Sequence, residues 1–154
     1  MRKATTLALL AAALVLPASA GATIVVQKSI AGVGLRMTKA QVRAKLGRPA
    51  RVVNGVNEFG PYTNFVYRRV TVSFQGRQNV TGLRTTSQLE RTAGGVGVGS
   101  SEARLKAVEP RARCRTSLAF RQCVVGALKP GHVVTAFVLK GGKVSGVIVG
   151  FVLD

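Results

Sequence analysis

Residues 32–45, GVGLRMTKAQVRAK, and residues 95–108, GVGVGSSEARLKAV, align at a constant offset of 63. Gly32, Val33, Gly34, Thr38, Ala40, Val42, Arg43 and Ala44 meet Gly95, Val96, Gly97, Ser101, Ala103, Leu105, Lys106 and Ala107. Further along, Val80-Thr81-Gly82-Leu83 faces Val144-Ser145-Gly146-Val147 at offset 64. Two matches in the same order and at nearly the same spacing predict a unit of about 64 residues used twice. The expected units are 23–87 and 88–154, divided within the polar, glycine-ended TTSQLERTAGG (85–95).

Each unit reads as a helix followed by strands. In the first, Thr38 is placed as N-cap with Gln41 three residues on, a capping box, and Gly47 and Pro49 end the helix. The spacing predicts a helix over 39–46 that buries Val42 and Leu46. Its basic residues, Arg36, Lys39, Arg43, Lys45 and Arg48, are expected on a solvated side. Ser101 and Leu105 take the places of Thr38 and Val42 in the second unit. FVYRRVTVSFQ (65–75) alternates apolar and polar, the pattern of a half-buried antiparallel strand. Gly141-Gly142 and Asn54-Gly55 are each expected to turn a hairpin. A helix and then antiparallel strands, twice over, predict an α+β fold: two tandem repeats, each a short helix packed on a small antiparallel β-sheet.

Other features place the chain in a compartment. Arg2 and Lys3, an apolar run over 7–16, Pro17 and Ala18-Ser19-Ala20 form a secretory signal peptide over 1–20. The run is too short to span a bilayer, so no transmembrane anchor is expected after cleavage, and the mature chain is expected to be secreted or extracytoplasmic. Outside the cytoplasm Cys114 and Cys123 are expected to form a disulfide, stapling a hairpin of the second unit. With His132 the one histidine, no metal site can be assembled from these residues.

At this point the first unit resembles a known family. Gly34-Leu35-Arg36-Met37-Thr38, Val42 in the helix, Leu46-Gly47-Arg48-Pro49, and then FVYRRVTVSF and NVTGL are similar to the SmpA/OmlA (BamE-like) outer-membrane lipoprotein pattern. Two such units in a secreted chain resemble the beta-lactamase inhibitory protein family. The resemblance implies a helix-plus-sheet scaffold that binds other proteins, and it implies no single activity.

Chemistry narrows the function further. The carboxylates Glu58, Glu90, Glu102, Glu109 and Asp154 form no evident pair. His132 follows Pro130-Gly131 and reads as an exposed turn residue, and GGVGVGS (94–100) reads as an entry turn, since no strand precedes it. No enzyme activity and no cofactor are expected. The remaining signal is charge: 23 Lys and Arg stand against 5 Asp and Glu, a formal net charge of +18. Such a field draws anionic partners, and export disfavours nucleic acid among them. The expected partner is another protein or an anionic envelope polymer. If a binding surface exists, it is expected at Phe59, Tyr62, Tyr67, Arg68 and Arg69, where aromatic and basic residues adjoin. The expected function is a secreted, non-enzymatic binding or scaffold protein of the cell envelope or exterior. The alternatives are a secreted inhibitor of an extracellular enzyme and a basic binder of anionic polymers.

Overall fold

The computed structural model describes residues 23–76, 79–117 and 120–153. The expected signal peptide and the terminal Asp154 lie outside these residues. Three two-residue strands come first, β1 (Ile24–Val25), β2 (Ser29–Ile30) and β3 (Val33–Gly34), forming a small meander. Helix α1 (Lys39–Leu46) leads to β4 (Arg51–Asn57), β5 (Gly60–Val66), β6 (Thr71–Gln75) and β7 (Gly82–Thr85). Helix α2 (Glu102–Val108) leads to β8 (Arg113–Ser117), β9 (Phe120–Val125), β10 (Val133–Lys140) and β11 (Lys143–Phe151).

The expectation of two small sheets is overturned. Eight strands form one antiparallel sheet in the order β4-β5-β6-β7-β11-β10-β9-β8. The seam is β7 against β11, with Thr85 opposite Val147 and Gly82 opposite Gly150. Its physical reason lies in the edges: two separate four-stranded sheets would each leave a row of unpaired backbone N–H and C=O groups at the last strand, and joining β7 to β11 pairs both rows. The main core is correspondingly shared, with a small second cluster at Val124, Val134 and Ala136. Val42, Phe65, Phe74 and Leu83 from the first half belong to one buried cluster with Leu105, Cys123, Phe137 and Val147 from the second. Among the described residues the structure is thus mostly β, with two short helices and a continuous eight-stranded sheet.

The N-terminal meander joins the halves. Ile24, Ile30 and Val33 enter the shared core. The backbone N–H of Gln27 donates to buried Thr135 Oγ1 at 2.7 Å, and its side-chain amide donates to the Val133 carbonyl at 2.8 Å. The N–H groups of Thr23 and Ile24 donate to the Arg91 carbonyl. These strands are too short to show a period, which is why the sequence pattern does not reveal them.

Local expectations fare unequally. The helix 39–46 and its capping box are present: Gln41 N–H donates to Thr38 Oγ1 at 3.2 Å, and Thr38 N–H donates to Gln41 Oε1 at 2.8 Å. Ser101 caps α2 through the Arg104 N–H. Gly141 and Gly142, at φ of 57° and 73°, turn the β10–β11 hairpin. The predicted strand 65–75 is instead two strands: the chain reverses at Arg68-Arg69, and Tyr67 N–H donates to the Val70 carbonyl across the turn. Of the face expected from the alternation, Val70, Val72 and Phe74 are buried, but Val66 is only half-buried, because the reversal at Arg68-Arg69 puts Phe65 in the core in its place. Asn54-Gly55 does not turn a hairpin. Both lie within β4, and the turn falls at Glu58-Phe59. Gly55 is opposite Tyr62, and a Cβ there would stand 2.6 Å from the Tyr62 ring, so this glycine makes room for an aromatic side chain.

Candidate functional site

The end of α1 gathers the residues that stand out chemically. Gly47 closes the helix, its N–H donating to the Arg43 carbonyl at 2.8 Å. Tyr67 Oη donates to the Gly47 carbonyl at 3.1 Å, so the β5–β6 turn is tied to the helix end. Burial pushes the Tyr67 phenol above its ordinary value, and the nearby Arg43 charge opposes the shift. Between helix end and turn lies a cleft of about 510 Å³. Leu46, Ala50, Tyr67 and Val70 give it apolar surface, and Arg48, Arg68 and Arg69 stand around them. A second cleft of about 450 Å³ shares Arg48 and Ala50 and adds Arg43 and Arg51. Five arginines therefore line two adjoining clefts.

Arg69 is the most constrained of the five. Its Nε forms an ion pair with Glu90, whose side chain is fully buried. No donor meets either Glu90 oxygen in hydrogen-bond geometry among the described residues, so the contact is one of charge. The Arg69 carbonyl accepts a 2.7 Å hydrogen bond from buried Thr85 Oγ1. Arg69 also lines a further cleft, with Leu89, Arg91 and Thr92.

The five binding residues expected from the sequence do not converge. Tyr67, Arg68 and Arg69 meet at the cleft. Phe59 and Tyr62 lie toward the opposite end of β5, a strand of seven residues, which at about 3.3 Å per residue separates the two groups by roughly 20 Å. Phe59 sits exposed on the β4–β5 turn, and Tyr62 covers Gly55. Sequence reasoning missed Arg48 and Arg51 as site residues, because LGRPAR reads first as a helix stop. The signal that could have found them is the basic pair flanking Pro49, directly after the helix.

The basic side of α1 is not simply solvated. Arg43 stands over the Phe65 ring at 4.6 Å, Lys39 over Phe74 at 5.4 Å, and Arg36 over Phe151 at 5.4 Å. Lys39 Nζ also donates to Thr63 Oγ1 at 3.3 Å. Val42 is the one fully buried residue of α1, so the helix covers its aromatic neighbours largely with cationic side chains, through their stems and cation–π attraction.

Elsewhere, Glu102 and Glu109 are held in structural pairs. Glu102 accepts both 2.7 Å bonds of the Arg121 fork and meets Lys106 Nζ at 2.8 Å, which lowers its carboxyl to about 2. The carboxylate lies near the sulfurs of Cys114 and Cys123, but these form a disulfide across β8 and β9 and do not ligate metal. Glu109 pairs with Arg111 at 3.7 Å, and His132 is exposed in a turn. Among the described residues no helix is long and apolar enough to cross a membrane.

No protein-family model matches the sequence, and no curated protein matches it. Two solved structures are similar in fold. One is an extracellular protein containing a SCP domain from Bacillus anthracis, with a TM-score of 0.55 and 12% identity over 76% of this chain. This chain covers 44% of that protein, less than half its length. The other is a DUF4309 family protein (YjgB) from Bacillus subtilis, with a TM-score of 0.52 and 20% identity, covering 74% of this chain and 78% of that one. These neighbours and the single eight-stranded sheet overturn the resemblance to the SmpA/OmlA and beta-lactamase inhibitory protein families, whose pattern called for a short helix on each of two small sheets. The short motifs behind it, a capped helix and a glycine-proline stop, mark helix ends in any fold. The disulfide and the extracellular neighbour are compatible with a place outside the cytoplasm.

Proposed function

We propose that this is a secreted, non-enzymatic binding protein of the cell envelope or exterior, and that the arginine-lined clefts at the end of α1 are its contact with an anionic partner. The observation that carries this reading is the grouping of Arg43, Arg48, Arg51, Arg68 and Arg69 around two adjoining clefts. Among the described residues the only one of the five that meets a carboxylate is Arg69. Guanidinium groups left without an internal counter-charge attract carboxylates and phosphates, which their forks match in shape.

The test separates site from net charge. The mature chain is loaded on an immobilised anionic polymer such as polyglutamate and eluted with salt. The triple variant Arg48→Gln/Arg51→Gln/Arg68→Gln is expected to elute at clearly lower salt than a triple variant of equal charge, Arg104→Gln/Arg113→Gln/Arg115→Gln. Equal shifts in the two would show that only total charge matters. Retention of the parent chain independent of salt would exclude an electrostatic contact. Fractionation of the producing cells checks the location, with the protein expected outside the cytoplasm.

A further inference from the structure

The larger cleft differs from a plain basic surface in having an apolar floor. Leu46, Ala50, Tyr67 and Val70 present carbon between Arg48, Arg68 and Arg69. A purely hydrophilic polyanion crossing this place would satisfy the arginines and leave the floor wet. A ligand with both an anionic head and an apolar tail would satisfy both. The volume, about 510 Å³, falls within the roughly 300–1,000 Å³ of sites for small ligands. The head position is preformed on one side. Arg69 is fixed by the Glu90 carboxylate at Nε and by Thr85 at its carbonyl, which leaves its Nη groups as donors. Arg48 and Arg68 are exposed and complete the rim.

Resting on the reading of an anionic partner above, we propose that this cleft binds a single-chain amphiphilic anion. Its phosphate or carboxylate head sits on Arg48, Arg68 and Arg69, and its tail lies on Leu46, Ala50, Tyr67 and Val70. The charge of the rim attracts the head, and the apolar floor adds affinity only for a ligand that carries a tail, which free phosphate lacks. Arg69 lowers the ordering cost because its guanidinium is already held.

The experiment is calorimetric titration of the full mature chain with decyl phosphate below its micelle concentration, beside inorganic phosphate and 1-decanol. Decyl phosphate is expected to bind at least about tenfold more tightly than inorganic phosphate, because the tail leaves water. It is also expected to bind more tightly than 1-decanol. Arg68→Gln and Arg48→Gln are each expected to weaken decyl phosphate by about tenfold, the lower end for losing a hydrogen bond to a charged group at an exposed position. Ala50→Phe, at an exposed position, is expected to fill the floor and abolish decyl phosphate binding. Equal affinity for phosphate and decyl phosphate, equal affinity for decanol, or no effect of Ala50→Phe would each overturn the proposal. Tighter binding of an acidic, leucine-containing peptide than of decyl phosphate would also overturn it, in favour of a protein partner. If decyl phosphate fails to bind while polymer retention stands, only this proposal falls. If salt-dependent polymer retention is itself absent, the reading of an anionic partner falls with it.

Discussion

Removing the Arg69 side chain tests the central electrostatic feature of this molecule. Glu90 is fully buried, its oxygens lack hydrogen-bond donors among the described residues, and Arg69 supplies its counter-charge. Arg69→Met keeps much of the stem and removes the charge, leaving a buried carboxylate uncompensated. Breaking a buried pair from one side costs about 3–5 kcal/mol. The Arg69 side chain is 45% exposed, so solvent screens the pair and can approach Glu90 once the guanidinium is gone. The lower end, about 3 kcal/mol, is therefore expected. The reverse substitution is not equivalent. In Glu90→Leu the buried charge disappears, and Arg69 turns to water, so the cost should stay below about 1 kcal/mol. The assay is urea unfolding with the disulfide intact. At an m-value of about 2 kcal/mol/M, Arg69→Met should lower the midpoint by roughly 1.5 M. Its melting temperature should fall by about 10 °C. The neighbouring exposed Arg68→Met serves as control and should lie within about 0.5 kcal/mol of the parent. The reasoning is refuted if Arg69→Met costs no more than Arg68→Met, or if Glu90→Leu destabilises as much as Arg69→Met.

Three further outcomes follow from the geometry. Arg43→Ala uncovers the Phe65 ring beneath the guanidinium and should cost about 1 kcal/mol in the same unfolding assay, with Arg43→Met recovering part of it through its apolar stem. Thr38→Ala removes the α1 cap and should cost about 1 kcal/mol, whereas Thr38→Asn should leave stability nearly unchanged. Glu102 has its carboxyl lowered from 4.5 to about 2 by Arg121 and Lys106. Its contribution is complete above its ordinary value and is lost as pH falls through the lowered one. The melting temperature should drop between about pH 4.5 and pH 2, and Glu102→Gln should flatten that part of the profile.

The helix ends and the last hairpin were legible in the sequence because their causes are local. A threonine with a glutamine three residues on can satisfy the first turn's free N–H groups wherever the helix is placed, and two glycines at positive φ make a hairpin turn by themselves. The alternation Val70, Val72, Phe74 likewise needs only a sheet with one covered face. The turn at Arg68-Arg69 was hidden because neither residue is a turn former. It exists because Phe65 and Val72 pair across β5 and β6 in one core. Asn54-Gly55 misled for the converse reason: a good turn dipeptide was used in a strand, where the missing side chain admits Tyr62.

What the sequence alone determined is therefore the set of short-range elements, the excess of positive charge and the pairing of the two cysteines that staple β8 to β9. Tertiary structure decided how those elements combine. Pairing β7 with β11 turned two expected sheets into one and merged their cores, since an edge strand is satisfied only by another strand that no local pattern names. The same packing drew Arg48 and Arg51, which follow α1, and Arg68 and Arg69, at the β5–β6 turn, to one place and set Glu90 in the interior against the last of them. A charge count cannot contain that arrangement, because the attraction and the screening of each arginine depend on distance and burial, which only the folded chain supplies.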